Sequence, residues 1–542
     1  MILPFLNNKS FESKFSSTPE GWRLLVLLFV INILFFVTFA WLLPIRFETN
    51  DDISMILLAS GKTTGNMEAH LVYINYILGL LIASAYKIYS KIEWYSLLFC
   101  IIHICSLTVI AWKILCNNSP KRIQLFFLLI IYVLEVRMIL TFQFTTTTAL
   151  AALAGLLLIS NTSSIQRSIG SILFVVATMI RFEAAFLVLI VFSPYFLRGH
   201  PTIRKILYSK SVIILLFSIL VAVGLKYIDY KSFQYSSEWN DFNTFKLNYD
   251  NIPDNPNAYT IINKLPIGLK YTDYEFLMKF LVDCKKVTLP TLKTINNEIN
   301  TTDFITKIHH VYPTIRSYSH LLIFLFIACF LFLFYTNLRK NGLILLLSGL
   351  TFSFVLCYIS FDGQFKYRVF ISAILPLLFI FSDSSFTALK PFVINSIIFC
   401  LILFCVDFST ATLQIRTSHI KDKIIFTEQK CLINSFLLDT SNRVLPFYDR
   451  LSIENLNPFH VSDQMHFNQI INSGWMAYYP YNRRVFPSFK SFTEGLDLFI
   501  SNKDTQIVSK LTLCLLDNYA ITVKPIVVIQ SPHYMIVQFK KE

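Results

Sequence analysis

The sequence predicts an α-helical polytopic membrane protein with a C-terminal α/β domain outside the membrane. Of its 542 residues, 54% are hydrophobic and only 15% are charged, whereas a soluble chain carries about 25% charged residues. Apolar runs of about 17 or more residues recur, which is typical of helical membrane spans rather than soluble core helices. The basic residues behind the formal net charge of +14 lie mostly between these runs, so they indicate membrane orientation and not a nucleic-acid partner.

The apolar runs predict about eleven spans and one helix that lies on the membrane surface. The run 71–86 carries polar and aromatic residues suited to headgroup level, so we expect it to be a juxtamembrane helix at the outer interface. No small-residue cleavage site follows the first run, which predicts a retained span and not a removed signal peptide. The twelve runs are 22–44, 71–86, 94–115, 123–139, 144–160, 168–180, 184–197, 211–227, 319–337, 341–360, 368–382 and 391–408.

The charge of the short loops predicts the orientation. With 71–86 on the surface, one set of loops carries many Lys and Arg and a single acid, Asp383. Cytoplasmic loops show this bias, so we expect a cytoplasmic N-terminus. Frequent Ile, Phe, Asn and Lys suggest a bacterial source, which predicts the inner (cytoplasmic) membrane. The basic loops are 111–122, 161–167, 198–210, 338–340 and 383–390.

Two parts of the chain are therefore predicted. Residues 1–408 form a transmembrane domain, which includes a first outer loop with the juxtamembrane helix at 45–92 and a large outer loop at 228–318. Residues 409–542 form an extracytoplasmic domain large enough for its own core, ending in two strands within 525–539. In that domain Cys431 and Cys514 can form a disulfide or remain free, and both possibilities stay open.

The adjacent acids Asp51 and Asp52 follow the first span directly. Two carboxylates at a membrane boundary are costly to desolvate and repel each other, so they indicate a functional site. One can act as general base towards a hydroxyl, and the pair can ligate a divalent cation through oxygen. The alternative is structural: Asn50 or Asp51 caps a helix over 53–60.

Other charged residues are predicted at the same outer ends of the spans. Arginine suits phosphate because its guanidinium binds two oxygens at once, although Arg181 can instead pair with Glu135 or Asp52. The cations before the span at 368–382 can also be attracted to headgroups in general, and the loop histidine can be an ordinary surface residue. The candidates for substrate binding are Glu48, His70, Arg181, Glu183, Lys366 and Arg368.

The segment Glu48-Thr-Asn-Asp-Asp52 after the first span, with the helix 71–86 and the domain 409–542, resembles the GT-C glycosyltransferases, which use polyprenyl-phosphate-linked sugars. The segment Asn50-Asp-Asp-Ile-Ser-Met, with Ser60-Gly61 and Thr64-Gly65 behind it, is similar to uncharacterised bacterial members. The resemblance implies a GT-C-like fold, an acidic outer-loop base at Asp51 or Asp52, and departure of the donor lipid as a phosphate.

The sequence thus favours a glycosyltransferase that moves a sugar from a polyprenyl-phosphate donor to a glycan, lipid-linked or protein acceptor at the outer face, with inversion. No cofactor is indicated beyond a possible divalent cation at Asp51 and Asp52. Two alternatives are a glycan polymerase or ligase of the envelope, for which we expect arginines in large outer loops, and a flippase, for which we expect polar or broken mid-membrane helices in two related halves. The sequence has no zinc-type Cys/His spacing, P-loop, GxGxxG or GxSxG motif.

Overall fold

The structure is a computed structural model. It describes residues 19–117, 119–198, 208–250, 252, 258–265, 269, 287–300, 342–361, 366–383, 391–439, 442–446, 451–461, 465–471, 474–485 and 489–542. The predicted span 319–337, the predicted cytoplasmic loop 338–340 and much of the large outer loop lie outside the described residues.

The described chain is predominantly helical up to residue 436. Its helices are α1 (Pro19–Leu42), α2 (Asn50–Ala59), α3 (Tyr76–Ile88), α4 (Trp94–Cys116), α5 (Lys121–Leu140), α6 (Phe144–Ile159), α7 (Ser164–Ile180), α8 (Phe182–Phe192), α9 (Lys210–Gln234), α10 (Ser237–Tyr249), α11 (Ala258–Lys264), α12 (Leu289–Asn300), α13 (Gly342–Phe361), α14 (Tyr367–Ser382) and α15 (Pro391–Phe436).

Several of these helices are long and apolar enough to cross a membrane. In the described residues, α1 (from Gly21), α4, α5 and α9 meet that criterion individually. The shorter apolar helical stretches are α3, α6, α7, Phe182–Leu197, Ile344–Tyr358 within α13, and α14. The chain is therefore a multi-pass α-helical membrane protein. The number of eleven spans stays a prediction.

The loops predicted to face the cytoplasm meet at one end of the helix bundle. Asn117 Nδ2 and Ser119 Oγ both donate to the Ser382 carbonyl, at 2.8 and 2.6 Å. Arg198 forms an ion pair with Asp383, which also accepts the Tyr195 hydroxyl at 2.6 Å. Loops far apart in sequence thus close one end together, as the span pattern requires.

The segments predicted to lie outside meet at the opposite end. There the Tyr95 hydroxyl donates to Asp52 at 2.9 Å, and Asn75 N donates to the Met179 carbonyl at 2.8 Å. The two groups of loops therefore lie at opposite ends of the same helices. Which end faces the cytoplasm remains predicted from charge alone.

Helix α3 corresponds to the predicted juxtamembrane helix 71–86, but it begins only at Tyr76. Its 13 residues extend about 20 Å at 1.5 Å per residue, which is short for a hydrocarbon core of about 30 Å. Both of its flanks lie at the same end of the bundle, because Asn75 contacts Met179 and Tyr95 contacts Asp52. The chain therefore enters and leaves α3 at the same end of the bundle, and α3 does not cross it.

Helix α6 lies at the centre of the bundle, since every one of its residues is buried. It packs on α7 through Gly155 and Gly170. A Cβ atom on Gly155 would lie 2.8 Å from Phe174 N, and one on Gly170 would lie 2.6 Å from the Gly155 carbonyl oxygen. Close backbone approach of this kind is how small residues hold membrane helices together.

Helix α15 connects the bundle to the C-terminal part of the chain. It is a single helix of 46 residues, about 70 Å long, that begins with the predicted last span 391–408 and continues well beyond it. The boundary predicted at residues 408 and 409 therefore lies inside a continuous helix.

The C-terminal part contains a four-stranded mixed sheet and the helices α16 (Pro480–Val485) and α17 (Gln506–Tyr519). The strand order is β3-β4-β6-β5, with β3 parallel to β4 and the other neighbours antiparallel. The two predicted terminal strands are confirmed as the hairpin of β5 and β6. The four strands are β3 (Arg443–Pro446), β4 (Leu496–Ser501), β5 (Val523–Gln530) and β6 (Tyr534–Lys541).

The possible disulfide between Cys431 and Cys514 is absent, because both cysteines are free. Cys431 is exposed on α15, whereas Cys514 is buried in α17 and its sulfur accepts a hydrogen bond from Asn518 at 3.1 Å. Their helices direct the two thiols into different surroundings, a fact that two isolated cysteines in a sequence cannot report.

The orientation can be tested by labelling single cysteines with a membrane-impermeant maleimide on intact cells. We expect Lys62→Cys to be labelled and Arg122→Cys to be labelled only after permeabilisation, in a background where all ten native cysteines are Ser. Both positions are exposed in the structure. The reverse pattern would show an inverted chain, and equal labelling without permeabilisation would place both ends on one side.

Candidate active site

The acidic segment is fixed to the bundle by a small parallel sheet of two strands, each two residues long. After α1, strand β1 (Arg46–Phe47) pairs with β2 (Thr141–Phe142), which joins α5 to α6. The next residue continues the ladder, since Glu48 N donates to the Phe142 carbonyl at 3.1 Å. This pairing brings the N-terminus of α2 beside the N-terminus of α6.

Asp52 is fully buried between three helices. Its Oδ1 accepts the Tyr95 hydroxyl of α4 at 2.9 Å and the Phe144 backbone N–H of α6 at 3.3 Å. Its Oδ2 accepts the Thr49 hydroxyl at 3.4 Å. Burial raises the pKa of Asp52 well above its usual range, and the neighbouring Asp51 charge adds to the effect. Asp52 therefore acts as a buried connection between helices.

The capping alternative for this segment is wrong in its details. Helix α2 begins at Asn50 and its N-cap residue is Thr49, whose side chain makes no capping hydrogen bond. Asp51 and Asp52 lie in the first helical turn, where negative charge is favoured by the helix dipole. Asp51 is thus not the N-cap residue of this helix.

Asp51 lies in different surroundings from its neighbour. It is half-buried, and its Oδ1 accepts a hydrogen bond from Trp475 Nε1 at 2.9 Å. Because successive residues of a helix point about 100° apart, the two acids face different partners. Asp52 is bonded to three groups inside the bundle, whereas Asp51 is bonded to Trp475 of the C-terminal part. Among the described residues, no three or more His, Cys, Asp or Glu side chains are grouped so that they could hold a metal ion.

Tyr73 lies beside Asp51, where a strained turn places it. Tyr73 N donates to the Leu71 carbonyl at 2.8 Å, which makes a γ-turn around Val72 with a φ of 70°. Positive φ is strained for a β-branched residue and costs about 1–3 kcal/mol. The Tyr73 ring stacks on Phe144 with 5.5 Å between centroids and meets the Trp475 ring edge-on at 5.9 Å.

Two cations lie over the Tyr73 ring. Arg181 Cζ is 4.9 Å from its centroid and Lys246 Nζ is 4.6 Å from it. Burial raises the pKa of Tyr73 well above its usual range, nearby Asp51 and Asp250 raise it further, and Arg181 and Arg368 oppose them. These charges therefore lie within electrostatic reach of one phenol. We call Asp51, Tyr73, Arg181, Glu183, Lys246 and Asp250 the acidic cluster.

The ion pairs of the acidic cluster are local. Arg181 Nε contacts Glu183 at 3.1 Å, and Lys246 pairs with Asp250 one turn along α10. The predicted alternative, in which Arg181 pairs with Glu135 or Asp52, is wrong. Glu135 instead contacts His103 Nδ1 at 2.7 Å inside the bundle.

A second group surrounds Glu48, and we call it the basic cluster: Glu48, Arg137, Lys366 and Arg368. Burial raises the pKa of Glu48, while the charges of Arg368, Arg137 and Lys366 oppose the rise. Glu48 Oε2 is buried and has no hydrogen-bond partner among the residues that the structure describes. The Arg137 guanidinium stacks on the Tyr367 ring at 3.6 Å. Among the described residues, three cations thus act on this one carboxylate, and Arg368 also acts on Asp52 and Tyr73, so the clusters adjoin.

His70 belongs to a separate set of contacts. Its Nδ1 lies 2.7 Å from Glu68 Oε1 and its ring stacks on Trp239 with 4.2 Å between centroids. Its Nε2 lies 3.4 Å from the Ser232 carbonyl oxygen. These contacts join the first outer loop to α9 and α10, so the structure gives His70 a packing environment away from the acidic pair.

The structure therefore brings Glu48, Asp51, Arg181, Glu183, Lys366 and Arg368 into two adjoining clusters. From the sequence, Arg137 is one of the charges at the predicted outer ends of the spans, although it is not among the candidates for substrate binding. Tyr73, Lys246, Asp250 and Trp475 were not identified as members of a site. Trp475 carried no such signal, since its only distinguishing feature is a contact with a residue 424 positions away.

No protein-family model matches the sequence, and no curated protein sequence matches it. The crystal structure of ArnT from Cupriavidus metallidurans bound to undecaprenyl phosphate resembles this chain with a TM-score of 0.46 at 12% sequence identity, over 96% of this chain and 98% of that chain. A TM-score this low does not establish a shared fold, so the function proposed below rests on the chain's own residues.

The structural role of Asp52 predicts that two substitutions at this position differ in their effect on stability. Asp52→Ala removes the acceptor of the Tyr95 hydroxyl and the Phe144 N–H, so we expect a loss of about 1–3 kcal/mol in unfolding free energy. Asp52→Asn keeps an acceptor oxygen and should fold normally. Thermal unfolding of both purified proteins in detergent measures the difference.

The same carboxyl predicts a pH dependence. Because its folded pKa is raised, the stability that Asp52 contributes is complete below the ordinary pKa of a carboxyl and is lost as pH rises through the folded value. Asp52→Asn does not titrate, so its unfolding temperature should exceed that of the wild type more at pH 8 than at pH 5. A gap that is equal at both pH values would contradict the raised pKa of this buried carboxyl.

Proposed function

We propose that this chain is a GT-C-type membrane glycosyltransferase that transfers a sugar from a polyprenyl-phosphate donor to a hydroxyl of a glycan, lipid-linked or protein acceptor at the outer face. The observation that carries the proposal is that one half-buried carboxylate, Asp51, lies beside a cluster in which three described cations act on Glu48. Both lie at one end of a bundle of apolar helices.

Asp51 is the general base of this proposal. Of the two adjacent acids, Asp52 is fully buried with both oxygens engaged, whereas Asp51 uses one oxygen towards Trp475. The second oxygen of Asp51 remains for the proton of an acceptor hydroxyl. A positioned base of this kind contributes about 10²- to 10⁴-fold to a rate.

The basic cluster is suited to the phosphate of the donor. Arg137, Lys366 and Arg368 all act on Glu48, and they lie where α5 ends and α14 begins. A lipid phosphate lies at this depth when its prenyl chain enters the bilayer. Cations held in place before the reaction stabilise charge that develops on the leaving group in the transition state.

The resulting step is a single displacement. The acceptor oxygen forms a bond to the anomeric carbon while the bond from that carbon to the phosphate oxygen breaks, and the electron pair leaves with the phosphate. The acceptor proton passes to Asp51, and the polyprenyl phosphate departs within the basic cluster. Attack opposite the leaving group inverts the anomeric centre.

The role of Asp51 can be tested in proteoliposomes supplied with radiolabelled polyprenyl-phosphate sugars and a crude envelope fraction as acceptor. We expect Asp51→Asn to lower transfer of label by about 100-fold or more, with an unchanged unfolding temperature. Asp52→Asn is the matched control, because it makes the same chemical change one residue away, and it should keep most activity. Full activity of Asp51→Asn would refute the base assignment.

The role of the basic cluster can be tested by binding without turnover. Undecaprenyl phosphate should raise the unfolding temperature of the wild type in detergent, and Arg368→Gln should weaken that binding by about tenfold or more, since a charged hydrogen bond is worth about 1.5–3 kcal/mol. Arg484→Gln, an exposed arginine paired with Glu238, serves as control. Equal binding by wild type and Arg368→Gln would place the phosphate elsewhere.

A further inference from the structure

We infer that Trp475, supplied by the C-terminal part of the chain, is a positioning residue for Asp51 and is needed for the base to act. The inference rests on the proposed function in so far as Asp51 is the base. It adds that the catalytic end of the bundle is incomplete until the segment 474–485 packs against it.

The contact is direct and enclosed. Trp475 Nε1 donates to Asp51 Oδ1 at 2.9 Å, and only 9% of the tryptophan is exposed. The edge of its ring meets Tyr73 at 5.9 Å. A single donor on one carboxylate oxygen fixes the rotation of the Asp51 side chain, which determines where its other oxygen points.

Trp475 is itself held by aromatic packing on α10. It lies in a short 3-10 helix, Gly474–Tyr478. Tyr478, at the end of this short helix, stacks face to face on Phe245 with 3.6 Å between centroids and 9° between planes. Tyr479 meets Trp239 edge-on at 4.9 Å. These contacts align the segment with the same helix that carries Lys246 and Asp250 of the acidic cluster.

A second set of bonds stiffens the segment behind Trp475. Asn482 Nδ2 donates to the Met476 carbonyl at 2.7 Å, and both residues are buried. Arg483 lies over the Tyr478 ring at 4.2 Å, and Arg484 contacts Glu238 of α10 at 2.7 Å. These contacts hold the indole in one orientation. A residue that positions another side chain must itself be fixed in this way.

The surroundings of Asp51 explain why a donor is needed there. Asp52 is adjacent in sequence. Asp250 is also close, since the charge of Asp51 helps to raise the pKa of Asp250, after the larger effect of burial. Like charges favour rotation of the Asp51 carboxylate away from them, and an N–H group bonded to its charged form opposes that rotation. Trp475 thus keeps the carboxylate directed into the cluster.

The test uses side chains that keep or remove the N–H group. Trp475→Phe keeps an aromatic ring and removes the donor. Trp475→His and Trp475→Gln place an N–H the same number of bonds from Cβ as the indole nitrogen. We expect Trp475→Phe to lower kcat for sugar transfer by about 10- to 100-fold with little change in KM, and at least one of the donor-bearing variants to recover several-fold. Trp112→Phe, the same change at a buried tryptophan near the opposite end of α4 from Tyr95, should leave kcat within about threefold.

A double-mutant cycle with Asp51→Asn, measured by thermal unfolding in detergent, gives an answer that does not need activity. If Trp475 acts through Asp51, the effect of Trp475→Phe should shrink in the Asp51→Asn background. Additive effects, or a Trp475→Phe enzyme with normal kcat, would overturn the inference while an inactive Asp51→Asn enzyme left the proposed function standing. A fully active Asp51→Asn enzyme would instead refute the proposed function, and the inference with it.

Discussion

The structure depends first on one buried carboxylate. Asp52 lies at the meeting point of α2, α4 and α6, and it accepts hydrogen bonds from a side chain of α4 and a backbone N–H of α6. A buried acceptor or donor without a partner is costly, so these groups constrain one another. The chain after the first span is therefore held against the start of the central helix, and the adjacent Asp51 must point elsewhere.

The charges around Asp51 follow from that placement. In the acidic cluster three carboxylates face two cations, whereas in the basic cluster three cations face one carboxylate. The two clusters adjoin through Arg368, which acts on groups in both. An acidic centre beside a basic one is the arrangement that a transfer to a hydroxyl with departure of a phosphate requires: one accepts a proton and the other stabilises an anion.

Two features of this end of the bundle lower the stability of the fold while they hold side chains of the two clusters in place. Val72 adopts a strained turn that places Tyr73 between Arg181, Lys246 and the Trp475 edge. Within the described part of the chain, Glu48 Oε2 is buried without a hydrogen bond. Strain and unsatisfied polar groups persist where the surrounding packing enforces them, and such positions concentrate at functional sites. The packing here comes from the membrane helices on one side and from the segment 474–485 on the other.

The sequence by itself determined the apolar helices, the charged loops that meet at each end, the acidic segment after the first span and the terminal hairpin. These depend on local patterns: hydrophobic length, charge between runs, and alternation in strands. The tertiary structure alone decided which of Asp51 and Asp52 is buried, that His70 packs on Trp239, that two cysteines are free, and that Trp475 reaches Asp51. Adjacent identical residues have the same propensity, and only the neighbours brought by distant segments bury Asp52 between helices and leave Asp51 half-buried against Trp475.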